Sequence, residues 1–132
     1  MTRSSAIIVL AEMYEAASRA ASYVEGMSKA DFLQDTRTQE AIAMNLINIG
    51  EGASRILRLH SDVAASYPQI LWQEMIGMRN RIAHGYNDID MDVVWDTANG
   101  TLLDFIAAIE PDVTRFIAEF DARTSNSSNG DS

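Results

Sequence analysis

The chain has no cysteine, only two prolines and two histidines, and no apolar run near the roughly 20 residues that a membrane span requires. Each scarcity removes a class of function. Without cysteine there is no disulfide, thiolate metal site or thiol nucleophile, which is compatible with a cytoplasmic protein. Basic residues are scarce too: ten lysines and arginines stand against nineteen carboxylates, for a net charge of −9. Such a balance opposes general binding to a polyanion, which is driven by Lys and Arg neutralising phosphates. The apolar stretch Ala6 to Leu10 after Arg3 is too short for a secretory signal, and Glu12 and Glu15 interrupt it on a helical pattern.

What remains is a chain of 132 residues, 47% apolar and 22% charged, which has room for one soluble domain with a real core. Its periodicity is helical nearly throughout. Ile7, Leu10, Tyr14, Ala17, Ala21 and Val24 recur at three- and four-residue spacing and predict a first helix from about Ser5 to about Glu25. Gly26 and Ser28 break it, and Ser28 to Leu33 reads as a short capped turn. Asp35 or Thr36 then caps a long helix with Ile42, Leu46, Ile49, Ala53 and Ile56 on one face, ending near His60. Gly50 and Gly52 lie inside it, each costing about 1 kcal/mol against alanine, so a helix or a ligand must approach closely there.

Pro68 is placed to open a third helix with Leu71, Met75, Met78 and Ile82 buried, and Gly85 to end it by taking the left-handed conformation. Asp90 to Asp92 suit the start of a fourth helix carrying Val94, Ala98, Leu102, Phe105 and Ile109. Pro111 opens a fifth segment with Val113, Phe116, Ile117 and Phe120. No strand pattern or internal repeat appears. The expectation is an all-α, up-and-down bundle of four main helices plus a C-terminal helix, formed by residues 1–123, with residues 124–132 a disordered polar tail. Met44, Ile47, Trp72 and Ile76 add apolar faces beyond the main stripes, which points to a homodimer.

Charge is unevenly spread along this bundle. Residues 52–87 hold Arg55, Arg58, Arg79 and Arg81 against Asp62 and Glu74, whereas residues 88–121 hold nine carboxylates against Arg115 alone. Within the basic middle, Arg79, His84 and Tyr86 place a fixed cation, a titratable imidazole and a phenol at the end of the third helix. Asp88 to Asp92 does not make a calcium loop, because the sixth and twelfth positions are Val93 and Asn99, and helix capping explains these acids better. No zinc ligand set, Gly-rich phosphate loop or Ser/His/Asp order is present, so no metal or cofactor is expected.

With its setting, the motif resembles the HepT-type members of the HEPN superfamily. The core of the resemblance is Arg79-x4-His84-x-Tyr86, supported by Phe32 to Asp35, Arg37, Gln39, Asn48 to Glu51, Tyr67-Pro68, Trp72, Gly77 to Asn80, Ala83 to Tyr86 and Val94-Trp95, over about residues 5 to 120. Leu71 departs from it, since many relatives have proline before the tryptophan, and only the start of the third helix is affected. The resemblance implies a metal-independent endoribonuclease toxin of a type VII-like toxin–antitoxin pair. Its partner would be a minimal nucleotidyltransferase antitoxin that transfers AMP onto the motif tyrosine, in a homodimer or a larger assembly with the antitoxin. Carried over by position, Arg79 and His84 are catalytic, Tyr86 is the modified residue, and RNA, transfer RNA included, is the substrate.

The residues support part of this independently. Cleaving RNA without a metal needs a base for the 2′-hydroxyl, an acid for the leaving oxygen and positive charge at the phosphorus. Imidazole can serve either proton role near neutral pH, and arginine supplies permanent charge in a fork matched to phosphate. One motif histidine per chain means that a base and an acid of the same kind require two chains. Helix geometry agrees: at about 100° per residue, positions five apart lie about 140° apart, so Arg79 and His84 do not share a face, while Asn80 and His84 do. Either Arg79 wraps towards the helix end, or Arg79 of one protomer serves His84 of the other.

Plainer roles compete at each position. His84, Arg79 and Arg81 could merely complement the negative end of the helix dipole, the preferred role for Arg81 as a supporting residue. Tyr86 could be a packing residue with its hydroxyl at the surface. His60 reads as a surface residue, and Glu51 either orients a catalytic group or is a solvated carboxylate. The alternative function is a non-catalytic helical subunit that binds a nucleotide or scaffolds a nucleotidyltransferase complex, which the acidic balance favours.

Overall fold

The computed structural model describes the backbone of residues 3–130 and the side chains of residues 5–124. The first helix, α1 (Arg3–Tyr23), buries Ala6, Leu10, Met13, Ala17 and Ala20. This face sits about one residue away from the expected stripe, leaving Ile7, Tyr14 and Ala21 at its edge. Small residues win the inner face because they let α1 lie close to its neighbour. Tyr14 donates from its flank to Glu110 at 2.9 Å. Past α1, Gly26 takes a φ of +73°, the left-handed turn that a side chain would resist.

Local capping then sets two helices in succession. The Ser28 hydroxyl accepts from the Asp31 amide at 3.1 Å and starts α2 (Lys29–Leu33), whose Phe32 is buried with its ring 5.3 Å from that of Trp95. Asp35 accepts from both the amide and the hydroxyl of Thr38, at 3.0 and 2.7 Å, and starts α3 (Thr36–Leu59). These bonds hold the Asp35 carboxyl below its ordinary range. Helix α3 is the centre of the bundle, packed between α1 and the later helix α5 (Trp72–Gly85). Its buried Asn45 accepts from Arg19 Nε at 3.2 Å and donates to Ala41 O at 2.9 Å, so the amide is satisfied.

Several expectations change at the junctions. His60 is buried at 5% exposure rather than on the surface, because its backbone joins two helices. Its amide donates to Ile56 O, closing α3, and its carbonyl accepts from Val63 and Ala64, opening α4 (Ser61–Ala65). Pro68 lies in the following turn, and α5 begins only at Trp72. Leu71 is therefore 50% exposed and Trp72 is buried in its place, edge-on to Phe105 at 6.4 Å. Gly85 ends α5 with an extended φ of −168° and not in the left-handed region, and the chain enters a 3-10 turn at Tyr86–Asp88.

The last expectation to change is the break at Pro111. Asp90 caps α6 (Met91–Asp96), accepting from the Asp92 amide at 2.9 Å. A π-helical turn at Thr97–Thr101 leads directly into α7 (Leu102–Gly130), so the fourth and fifth segments form one rod with Pro111 inside it. Proline removes the bond to the carbonyl four residues back, here Ala107. Both residues are exposed, so water can take that carbonyl. The backbone stays helical past Thr124 to Gly130, and Asp131 and Ser132 of the expected tail lie outside the described residues. Four long helical stretches build an all-α bundle, and the described residues contain no strand.

Candidate active site

Arg79 owes its position to a glycine on another helix. A Cβ at Gly50 of α3 would overlap Arg79 Cβ and lie 2.8 Å from Met75 O, so only glycine lets α5 come this close. The second interior glycine serves the other side of α3, since a Cβ at Gly52 would strike Met13 of α1. Laid across Gly50, the Arg79 side chain reaches Glu51 at 3.7 Å and donates to Asn80 Oδ1 at 3.1 Å. Its Nε is buried without a partner. The ion pair is partly exposed and contributes on the order of 1 kcal/mol or less, so Glu51 orients Arg79 more than it stabilises the fold. Arg79 thus runs across α3, and it does not wrap towards the end of its own helix.

Arg79 opens into a groove of about 340 Å³ between α3 and α5, lined also by Ser54, Arg55, Arg58 and Asn80. Arg55 and Arg58 were visible in the sequence only as charge. Their spacing from Glu51 on α3, four and seven residues, would have placed all three on one face. Arg81 lines a different groove, of about 480 Å³, with Leu46, Met78 and Thr97, so it does not join Arg79.

His84 is exposed in the last turn of α5, where a cation suits the negative end of the helix dipole. Among the described residues, no hydrogen bond or ion pair joins it to Arg79. Tyr86 departs from expectation. Extended Gly85 and the 3-10 turn fold the tyrosine back against the core, so its ring is half-buried and its hydroxyl is buried without a partner. Burial, and then the negative charge of Glu40, raise the phenol above its ordinary pKa. A single chain therefore holds Arg79 across Gly50, His84 exposed but apart, and Tyr86 sheltered.

No group of three or more metal-ligating side chains occurs among the described residues, and no described helix is long and apolar enough to cross a membrane. The polar side chains of this region are arginine, imidazole, amide, hydroxyl and phenol, with the Glu51 carboxylate among them.

A family profile described as "Ribonuclease HepT-like" matches residues 13–118, a span that contains Arg79, His84 and Tyr86. Curated proteins are similar over parts of the chain. One named "Putative RNase MJ0127", from Methanocaldococcus jannaschii, is 31% identical over 88 residues, covering 67% of this chain and 70% of its own length. "Probable ribonuclease HepT" from Thermococcus cleftensis is 39% identical over 67 residues, covering 51% of this chain and 58% of its own length. "Putative RNase MJ1216" from Methanocaldococcus jannaschii is 26% identical over 106 residues, 80% and 82% of the two chains. No solved structure matches significantly.

Proposed function

The chain belongs to the HepT-like family, and from that premise we propose that it is a metal-independent endoribonuclease, the toxin of a pair whose antitoxin is a minimal nucleotidyltransferase. The observation that carries the reading is the placement of Arg79 and His84. The arginine is held over Gly50 at the mouth of an arginine-lined groove, and the histidine is exposed on a different face of the same helix. Two copies of the chain complete the catalyst.

In that dimer, the imidazole of one His84 takes the proton of the 2′-hydroxyl as its oxygen attacks phosphorus. The other His84 gives a proton to the departing 5′-oxygen, leaving a 2′,3′-cyclic phosphate. General acid and base catalysis of this kind contributes about 10²–10⁴ in rate. The Arg79 guanidinium exchanges Glu51 for the phosphoryl oxygens, whose charge grows in the transition state. Asn80 accepts a hydrogen bond from the guanidinium and helps to hold it.

Tyr86 is the control point. Its oxygen attacks the α-phosphorus of ATP, pyrophosphate leaves, and the phenolic proton passes to a base on the antitoxin. Because the hydroxyl is buried and its pKa raised, the antitoxin must both draw the 3-10 turn outward and supply that base. An AMP at this position carries a phosphate and a purine towards the site and blocks it.

Expression without the partner gene tests the catalytic half: the parent arrests growth, and His84→Ala and Arg79→Ala do not. Equal arrest by all three, or arrest by none, removes the assignment. Co-expression with a minimal nucleotidyltransferase antitoxin tests the control half, since intact protein should gain the mass of one AMP and Tyr86→Phe should gain none.

A further inference from the structure

The ribonuclease reading uses Arg79 and His84 and leaves Arg55 and Arg58 without a role. Both line the same groove as Arg79, so three of the chain's ten basic residues meet there on a molecule of net charge −9. Among the described residues neither Arg55 nor Arg58 has a carboxylate within 4.0 Å. Glu51 is the one carboxylate lining the groove, and it faces Arg79. Arg55 also borders the neighbouring groove that holds Glu12 and Glu15, but in this one three arginines meet a single carboxylate; the surplus positive charges repel one another, so an anionic ligand gains by entering.

The order of the charges shows what shape of anion fits. Helices α3 and α5 run antiparallel: Gly50 faces Met75 and Arg79, while Glu40, earlier on α3, acts on Tyr86, just past the end of α5. Moving from Gly50 to Arg58 therefore leads away from His84. At about 1.5 Å per residue, Arg58 lies about 12 Å along α3 from Gly50, and His84 about 7.5 Å along α5 in the opposite sense. The positive line extends for several nucleotides' length to one side of the histidine. No aromatic ring lines it, so it offers phosphate contacts and no stacking platform for bases.

We propose that Arg55 and Arg58 form a phosphate track that holds the RNA backbone on one side of the scissile bond, a role that rests on the ribonuclease reading. They are positioning residues, acting on strand placement and not on the reacting atoms. Arg81, in its separate groove, is not part of the track.

The test uses the full chain and a fluorescent 2′-O-methyl oligoribonucleotide, which cannot be cut. Three arginines predict that log K falls against log salt with a slope near about −2 for the parent. The Arg55→Ala/Arg58→Ala variant should lose about 1.4 of that slope and bind ~25-fold more weakly at about 0.1 M salt. Arg55→Lys/Arg58→Lys should keep most of the slope, showing that charge and not a folding defect is read. Arg115→Ala/Arg123→Ala, which removes the same charge from a distant groove, should leave the slope as in the parent. On cleavable RNA, the alanine pair at positions 55 and 58 should raise KM and leave kcat unchanged. A slope equal to the parent's in that pair, an equal loss in the distant pair, or no probe binding by the parent at about 20 mM salt overturns the track. If probe binding behaves as stated but His84→Ala cuts RNA as well as the parent, the catalytic assignment falls and the track stands.

Discussion

Replacing Gly50 by alanine puts opposing effects on one atom. Inside a helix, alanine is favoured over glycine by about 1 kcal/mol, so propensity alone predicts stabilisation. Against it stands the new Cβ, overlapping Arg79 Cβ and 2.8 Å from Met75 O. Neither is the free end of a flexible side chain, so relief requires α3 and α5 to move apart. Overpacking of this kind costs about 1–3 kcal/mol, and rigid neighbours put it at the upper end. The net expectation is a loss of about 2 kcal/mol, a fall in Tm of roughly 6–10 °C for a domain of this size. Gly77 is the matched control, inside α5 as Gly50 is inside α3 but with nothing within 4 Å of its missing Cβ. There Gly→Ala should gain about 1 kcal/mol. Urea unfolding reads both, as a lower midpoint for the first and a higher one for the second at an unchanged slope. Stabilisation by both substitutions would refute the close approach, and with it the account of how Arg79 is held.

Three further outcomes follow from particular contacts. Mixing purified parent and His84→Ala proteins in equal amounts, with subunit exchange, should leave about a quarter of parent activity, since only parent–parent dimers, about a quarter of the total, carry both imidazoles that the reaction needs; about a half would show that one imidazole per site suffices. Asn45→Ala should cost about 1–3 kcal/mol in thermal or urea unfolding, because Arg19 loses its acceptor and the Ala41 carbonyl its donor in a buried place. Tyr67, hydrogen-bonded to Asp112, has its pKa pushed up to about 12 by burial first and the carboxylate second. Its neutral form is favoured by the fold, so its contribution is fully present below pH 10.0, the ordinary value, and is lost as pH rises through about 12. A urea midpoint that falls over this window in the parent but not in Tyr67→Phe is the expected result, and parallel profiles would remove Tyr67 as the cause.

What could be seen in the sequence was what depends on near neighbours. Ser28, Asp35 and Asp90 cap helices through bonds two or three residues away, so their roles were legible from order alone. Gly50 and Gly52 were legible as costs needing a reason, but which atoms supplied it, Arg79 and Met13, depends on packing between distant segments. The same limit hid His60, whose burial comes from two helices meeting at its backbone, and exchanged Leu71 with Trp72, because the helix starts four residues after the proline. In the site, the angular mismatch of Arg79 and His84 followed from helix geometry. The sheltered hydroxyl of Tyr86 did not, because it depends on how Gly85 turns the chain back.

The π-helical turn gives this rod a place to lose a residue. At Thr97–Thr101 the Leu102 amide bonds to Thr97 O, five residues back, so the turn holds one residue more than an α-helical turn would. Val94 and Ala98 towards its start and Phe105, Ile109 and Val113 after it all face the core, so the surplus residue is taken up locally and the rod keeps one inner face. Gly100, with nothing within 4 Å of its missing Cβ, can change identity cheaply. Its removal would let the turn close as a regular α-helix and leave Phe105 beside Trp72 and Asp112 beside Tyr67, whereas a deletion in a regular turn of α7, with no surplus residue to give up, would rotate everything downstream by about 100°. Among related chains, a one-residue gap should therefore fall in this stretch rather than in the regular turns of the rod.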